Sequence, residues 1–145
     1  MTGWLIRAAT AQDAAGVRRC IDAAYAGYRD QGIDLPDVSG GIEAEIADHL
    51  VFVASEGPQI IAGMVLELGD GYLQLANVAV HPDHGGKGIG KAMLARAQAE
   101  TIAAGLSLLK LATHVEMPRN IALYQRLGWI ETGREGVKVL MEKQL

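Results

Sequence analysis

The sequence predicts a mixed α/β or α+β layer fold, and three observations carry that expectation. Short β-rich runs alternate with segments of helical periodicity, in the order β-α-α-β-β-β-α-β-α-β. The 18 glycines are scattered between these segments as punctuation and are not gathered into a linker. No internal repeat or low-complexity tract interrupts the pattern, so residues 1–145 read as a single domain, and with half of them hydrophobic they can fill a core.

Trp4-Leu5-Ile6-Arg7-Ala8 reads as a short first strand. Thr10-Ala11-Gln12-Asp13 resembles a capping box with Asp where Glu or Gln is preferred, so a helix is expected to follow and to end near Gly27. Residues 30–48 read as loop because of Gly32, Pro36 and Gly40-Gly41, closing on a short helical piece over 42–50. The runs 51–54 and 60–66 are β-rich, and Glu56-Gly57-Pro58-Gln59 between them marks an antiparallel hairpin. A third strand over 72–80 follows the Gly69-Asp70-Gly71 turn and stops at His81-Pro82, because proline has no N–H to give to the ladder. Ile89, Met93 and Ala97 recur at spacing four, which predicts a helix closing at Gly105. Residues 106–113 read as a buried strand and 119–127 as a helix stopped by Gly128. The last strand is expected over 137–141, with room for a short one over 129–132.

Composition excludes several functions. With 13 Lys and Arg against 17 Asp and Glu, the net charge of −4 disfavours a general affinity for nucleic acid, which needs clustered cations. Cys20 stands alone, so no intrachain disulfide and no thiolate-rich zinc site can form, and its expected role is that of a small buried apolar residue in a reducing compartment. His49, His81 and His84 lack the spacing of a metal site, and no metal is expected. Neither a secretory leader nor a membrane span is apparent, so a soluble cytoplasmic protein without membrane partners is expected.

The most informative segment runs from Val78 to Lys91. A strand leads into Gly85, Gly86, Gly88 and Gly90 and then into a helix, so unpaired backbone N–H groups converge at a positive helix end with no side chains in the way. That arrangement binds phosphate. As a nucleotide P-loop it fails at Ala92, where a hydroxyl must hold magnesium. As a dinucleotide fingerprint it fails because Gly86, Gly88 and Gly90 are spaced G-x-G-x-G and follow a β-meander.

Val80-His81-Pro82 followed by Gly85-Gly86-Lys87-Gly88-Ile89-Gly90 resembles the coenzyme A pyrophosphate loop of the GNAT superfamily of acyl-CoA-dependent N-acetyltransferases. Downstream, Asn120-Ile121-Ala122-Leu123-Tyr124-Gln125-Arg126-Leu127-Gly128-Trp129 looks like the family's second motif, a tyrosine-bearing helix ending in leucine, glycine and an aromatic residue. The resemblance implies a GNAT-like α+β fold, with a mixed, mostly antiparallel central sheet of six to seven strands flanked by about four helices. It implies acetyl-CoA as co-substrate, held by Gly85, Gly86, Lys87, Gly88, Ile89 and Gly90. Val78, Ala79 and Val80 would pair with the pantetheine arm, and the Val78 N–H would face the thioester oxygen. Lys87, Lys91 and Arg119 are candidates to meet the phosphates. Many relatives dimerise through their sheets or carboxy-terminal strands, so a homodimer is admissible. Two departures stand out. Gly85 replaces the family's Gln or Arg, and Met117 occupies the place of an Asn, for which Asn120 is the candidate substitute.

Acetyl transfer to an amine needs a held donor, a free lone pair, a stabilised oxyanion and a proton for the departing thiolate. Tyr124 is the expected general acid. The strand before the glycine turn holds no carboxylate, so the base is left open between a water on Gln74 or Asn77, which is preferred, and His114 or Asp37. Asp30, Asp34, Asp37, Glu43, Glu45 and Asp48 lie in a stretch with no Lys or Arg, which suggests a small cationic amine acceptor. The alternative reading is a non-catalytic acyl-CoA-binding sensor or regulatory module.

Overall fold

The computed structural model describes residues 3–33 and 40–145. The chain runs through β1 (Trp4–Ala8), α1 (Ala14–Asp30), α2 (Ile42–Asp48), β2 (Leu50–Glu56), β3 (Gln59–Leu68) and β4 (Leu73–Val80). It continues through α3 (Ile89–Ala103), β5 (Leu108–His114), α4 (Pro118–Arg126), β6 (Ile130–Glu135) and β7 (Lys138–Gln144). The strands hydrogen-bond in the order β1-β2-β3-β4-β5-β7-β6. β4 and β5 are parallel, while the β1–β2, β2–β3, β5–β7 and β6–β7 pairs are antiparallel. This is the mostly antiparallel sheet with four helices that the family resemblance implied, and the optional strand near 129–132 exists as β6.

One boundary differs for an instructive reason. α1 does not stop near Gly27 but continues to Asp30. Its stop is Gly32, at φ 82°, where the Gly32 N–H donates to Arg29 O and the Ile33 N–H to Tyr28 O. These two bonds form a Schellman motif, which needs a left-handed residue followed by an apolar one that can fold back. Gly32-Ile33 meets both demands, whereas Gly27 is carried inside the helix at a modest propensity cost.

Two compact units make up the chain. The first comprises the described residues up to Leu66 with Asn77–Arg96. In its core, Val17 and Ile21 of α1 and Ile42 of α2 pack with Val51, Val53, Val65 and Ala79 of the strands. Each such side chain contributes roughly 1.5–3 kcal/mol when fully buried. α1 lies so close to the hairpin that a Cβ at Gly16 would meet Ile60 Cγ1 at 2.7 Å, so a glycine is required at that crossing. The entry to α1 is held by Asp13, whose carboxylate accepts from the Thr10 N–H at 2.7 Å and from both Arg7 guanidinium nitrogens at 2.8 and 3.0 Å.

The second unit comprises Glu67–Ala76 and Ala97–Leu145. Leu73 and Leu75 of β4 lie in parallel register with Leu109 and Leu111 of β5. Val139 and Met141 on β7 are fully buried in the same unit. Leu111 pairs with Met141 and Thr113 with Val139.

Candidate active site

The glycine turn belongs to the first unit and is built as the sequence suggested. β4 ends as the His81 N–H donates to Ile61 O at 2.9 Å, and a 3-10 turn over Pro82–His84 leads into the glycines. Gly86 and Gly88 adopt φ 79° and 80°, and a Cβ at either would stand in open space. Residues 85–88 are all exposed. The Ala92 N–H is bonded to Gly88 O at 3.0 Å, which makes Gly88 the N-cap of α3. The amides of Ile89, Gly90 and Lys91 are therefore the helix's unpaired N-terminal donors, at the positive end of its dipole. Left-handed glycines, absent side chains and a helix terminus together fit a pyrophosphate. Ile89 is buried to 1% exposure, so its side chain is a core anchor and only its backbone faces the cradle. Lys87 reaches back to His84, Nζ to Nδ1 at 2.9 Å.

Val78 and Val80 are half-buried and alternate with Asn77 and Ala79, which are buried on the opposite face of β4. The register of β4 with β5 covers Leu73 to Leu75. Ala79 is fixed in the core, where its carbonyl lies 3.8 Å from Cys20 Sγ. Burial pushes the Cys20 thiol up to about 11, so at neutral pH it stays protonated and has no role as a nucleophile.

Tyr124 and Asn120 sit together on α4 in the second unit. α4 ends in the same motif as α1. Gly128, at φ 95°, donates its N–H to Gln125 O, and the Trp129 N–H donates to Tyr124 O at 2.9 Å. The cap brings the Trp129 ring edge-on to Tyr124, centroids 5.9 Å apart. Tyr124 is buried to 8% exposure. Lys143 Nζ completes the cap by donating to Leu127 O at 2.6 Å. Asn120, in the first turn of α4, turns its Nδ2 to Met117 Sδ at 3.5 Å.

Two expectations about charge change in the folded chain. His114 Nδ1 accepts the Glu116 N–H at 3.0 Å, so the proton of its neutral ring sits on Nε2 and no ring lone pair is left to act as a base. Glu43 is ion-paired with Arg18 of α1, so the acidic stretch is not the uncompensated field its composition suggests. Asp34 and Asp37 lie outside the described residues. Trp129, which closes the Tyr124 motif in the sequence, packs on Tyr124 as that motif suggests, whereas Tyr25, whose phenol hydrogen-bonds Asn77, has no signal in the sequence beyond an ordinary position of its helix.

A seven-stranded sheet whose fourth strand leads through a glycine cradle into a helix is the architecture of the GNAT acetyltransferases. Residues 47–131 match the family described as acetyltransferase (GNAT) domain, and the chain belongs to that family. An IAA acetyltransferase of Azospirillum brasilense is 34% identical over 88 residues, 57% of this chain and 58% of that protein. The match thus spans little more than half of the relative's length. Among solved structures, the paia N-acetyltransferase of Thermoplasma acidophilum, in complex with coenzyme A, superposes with a TM-score of 0.82 at 21% identity. It covers 98% of this chain and 99% of its own. An IAA acetyltransferase of Bacillus cereus gives 0.74 at 22% identity, covering 98% and 99%. Among the described residues, no helix is long and apolar enough to cross a membrane.

Proposed function

We propose that the chain is a single-domain N-acetyltransferase that moves an acetyl group from acetyl-CoA to a primary amine on a small acceptor, by direct transfer in a ternary complex. The observation that carries this reading is the open cradle, in which two left-handed glycines precede the unpaired amides of α3. When bound, acetyl-CoA supplies the activated thioester. The amides of residues 86–90 would hold its pyrophosphate, with Gly85 contributing backbone alone and Lys87 and Lys91 adding charge from the rim. The backbone of Val78, Ala79 and Val80 would extend along the pantetheine arm as an added strand, the Val78 N–H aimed at the acetyl oxygen. Tyr124 would give its phenolic proton to the departing thiolate, and Asn120 would stand near the cofactor from the same helix. The amine's proton would pass to a water held on β4, and we place the reaction in the cytoplasm.

Calorimetric titration with acetyl-CoA, with ATP and NAD as controls, tests the cradle. Selective binding of acetyl-CoA is the expected result, and equal or absent binding would overturn the reading. Tyr124→Phe is then expected to lower kcat by about a hundredfold at unchanged acetyl-CoA affinity, and an unchanged kcat would remove Tyr124 from the chemistry.

A second reading has one specific support. β4 carries no carboxylate and the His114 ring is engaged in its own turn, as a non-catalytic acyl-CoA sensor would allow. Acetyl-CoA binding without release of free thiol in a broad amine panel would favour that reading.

A further inference from the structure

Between the 3-10 turn at Pro82–His84 and the start of α3, Lys87 alone carries a side chain, because 85, 86 and 88 are glycines. His84 closes the turn immediately before them and is partly buried, whereas Lys87 is exposed. These two side chains are bound to each other, Lys87 Nζ standing 2.9 Å from His84 Nδ1. An ammonium has donors and no acceptor, so Nδ1 is the acceptor and the His84 ring is neutral, with its proton on Nε2. The pair therefore holds a single positive charge beside the cradle, and that charge is turned onto the ring.

A second cation is available at the same place. A proton added to His84 turns Nδ1 into a donor, which breaks the bond to Lys87 and leaves two like charges side by side. In the free protein that repulsion disfavours the charged ring. An anion on the amides of residues 86–90 reverses the balance, because Lys87 and His84 can then both donate to it. The other titratable and charged groups of this region do not take that part. The His81 ring meets the His84 ring edge-on, centroids 5.9 Å apart, and its Nδ1 accepts the Asp83 N–H at 3.1 Å. The Asp83 carboxylate lies 3.8 Å from the same His81 nitrogen. Lys91, in the first turn of α3, is a further cation. The Cys20 thiol, which lies against the His81 backbone, stays protonated.

Resting on the transferase reading, we propose that His84 is a further cofactor-binding residue, whose ring takes up a proton as the pyrophosphate enters the cradle. The Lys87–His84 bond opens, the ammonium and the imidazolium both donate to phosphate oxygens, and the proton on Nδ1 is drawn from solvent. Uptake on binding ties acetyl-CoA affinity to pH: binding tightens as pH falls into the range where histidine titrates. His84 thus supplies, from the position next to it, a charge that Gly85 cannot.

The test is calorimetric titration with acetyl-CoA from about pH 8 to about pH 6, in paired buffers of different ionisation enthalpy, so that the difference in heat counts the protons taken up. The 3′-phosphate of the cofactor itself titrates at about pH 6 and contributes alike to every protein, so the readout is the wild type against a variant. His84→Asn keeps an acceptor for Lys87 and cannot be charged. Near neutral pH the wild type is expected to take up more protons than His84→Asn. Over the whole range it should gain about tenfold more affinity, the worth of one charge-assisted hydrogen bond. The two proteins should converge toward pH 8, whereas a merely structural loss would show at every pH. His84→Gln carries the comparison should asparagine prevent folding, and His81→Asn should behave as the wild type. Equal proton counts and parallel pH profiles for the wild type and His84→Asn overturn the inference alone, as does uptake lost in His81→Asn and kept in His84→Asn. A wild type that binds no acetyl-CoA anywhere in the range overturns the transferase reading, and this inference with it.

Discussion

Alanine substitution at Gly85, Gly86 and Gly88 separates two reasons for keeping a glycine, because the three positions differ in backbone and not in crowding. Gly86 and Gly88 stand at φ 79° and 80°, where an L-residue costs roughly 1–2 kcal/mol. Gly85 stands at φ −64° and ψ 154°, a conformation open to any residue. No atom approaches a Cβ at 86 or 88 within 4 Å, and the nearest at 85 is Pro82 O at 3.6 Å, so sterics within the chain contribute nothing at any of them. A chain of this length shifts its Tm by about 3 °C per kcal/mol. Gly86→Ala and Gly88→Ala should therefore each melt roughly 3–6 °C lower. Gly85→Ala should melt about 1–3 °C higher, since it restricts only the unfolded chain. The new methyl at 86 or 88 would stand in the open space beside the unpaired amides of α3, where the proposed function puts the phosphate. Losing one charge-assisted hydrogen bond of about 1.5–3 kcal/mol weakens acetyl-CoA by at least about tenfold, whereas Gly85→Ala should leave the dissociation constant nearly unchanged. Differential scanning fluorimetry and calorimetric titration read the two quantities independently. Equal behaviour of Gly85→Ala and Gly88→Ala in both assays would refute the assignment of the cradle to the left-handed glycines.

Asp13 is held down to about 2, mainly by its hydrogen bonds to the Arg7 guanidinium, against an ordinary value of 3.8. A depressed carboxylate stabilises the fold fully above its unfolded pKa and loses that contribution as pH falls toward the folded one. Wild-type stability should therefore drop between about pH 5 and pH 2 by an amount that Asp13→Asn lacks, about 1 kcal/mol given the partly exposed guanidinium, as urea titrations across that range would reveal. Cys20 should resist iodoacetamide in the native protein at pH 8 and react promptly in urea; rapid native labelling would contradict its burial and raised pKa. Gly128→Ala forces a side chain into φ 95° and sets its Cβ 3.4 Å from Lys143 Cε. It should lower Tm by roughly 3–6 °C and reduce kcat more than acetyl-CoA affinity, because the cap aligns Tyr124 with Trp129; a wild-type kcat would show that the alignment is unimportant.

Much of the fold was legible because its signals are local. The stops at Gly105 and Gly128 depend on a glycine, an apolar residue just after it and carbonyls one turn back, all within about six residues. Leu106 N–H to Thr101 O and Trp129 N–H to Tyr124 O realise that pattern. The glycine turn was legible for the same reason, since a cradle of backbone amides is written in the absence of side chains. Gly27 misled because glycine alone is an ambiguous stop, and the apolar Ile33 after Gly32 was the missing half of the signal.

What depended on residues distant in sequence was decided only in three dimensions. Cys20 is chemically inert because β4 covers it, 59 positions along the chain. The acidic stretch is partly neutralised because α1 brings Arg18 to Glu43. Asn77 reads as an ordinary polar residue of a strand, and only the fold buries it and brings the Tyr25 phenol of α1 to it. Backbone geometry is set by neighbours along the chain, so sequence alone determined the cradle and the helix ends. Burial and pairing are set by whatever packs across, so the environments of Cys20, Asn77 and Tyr124 belong to the tertiary structure.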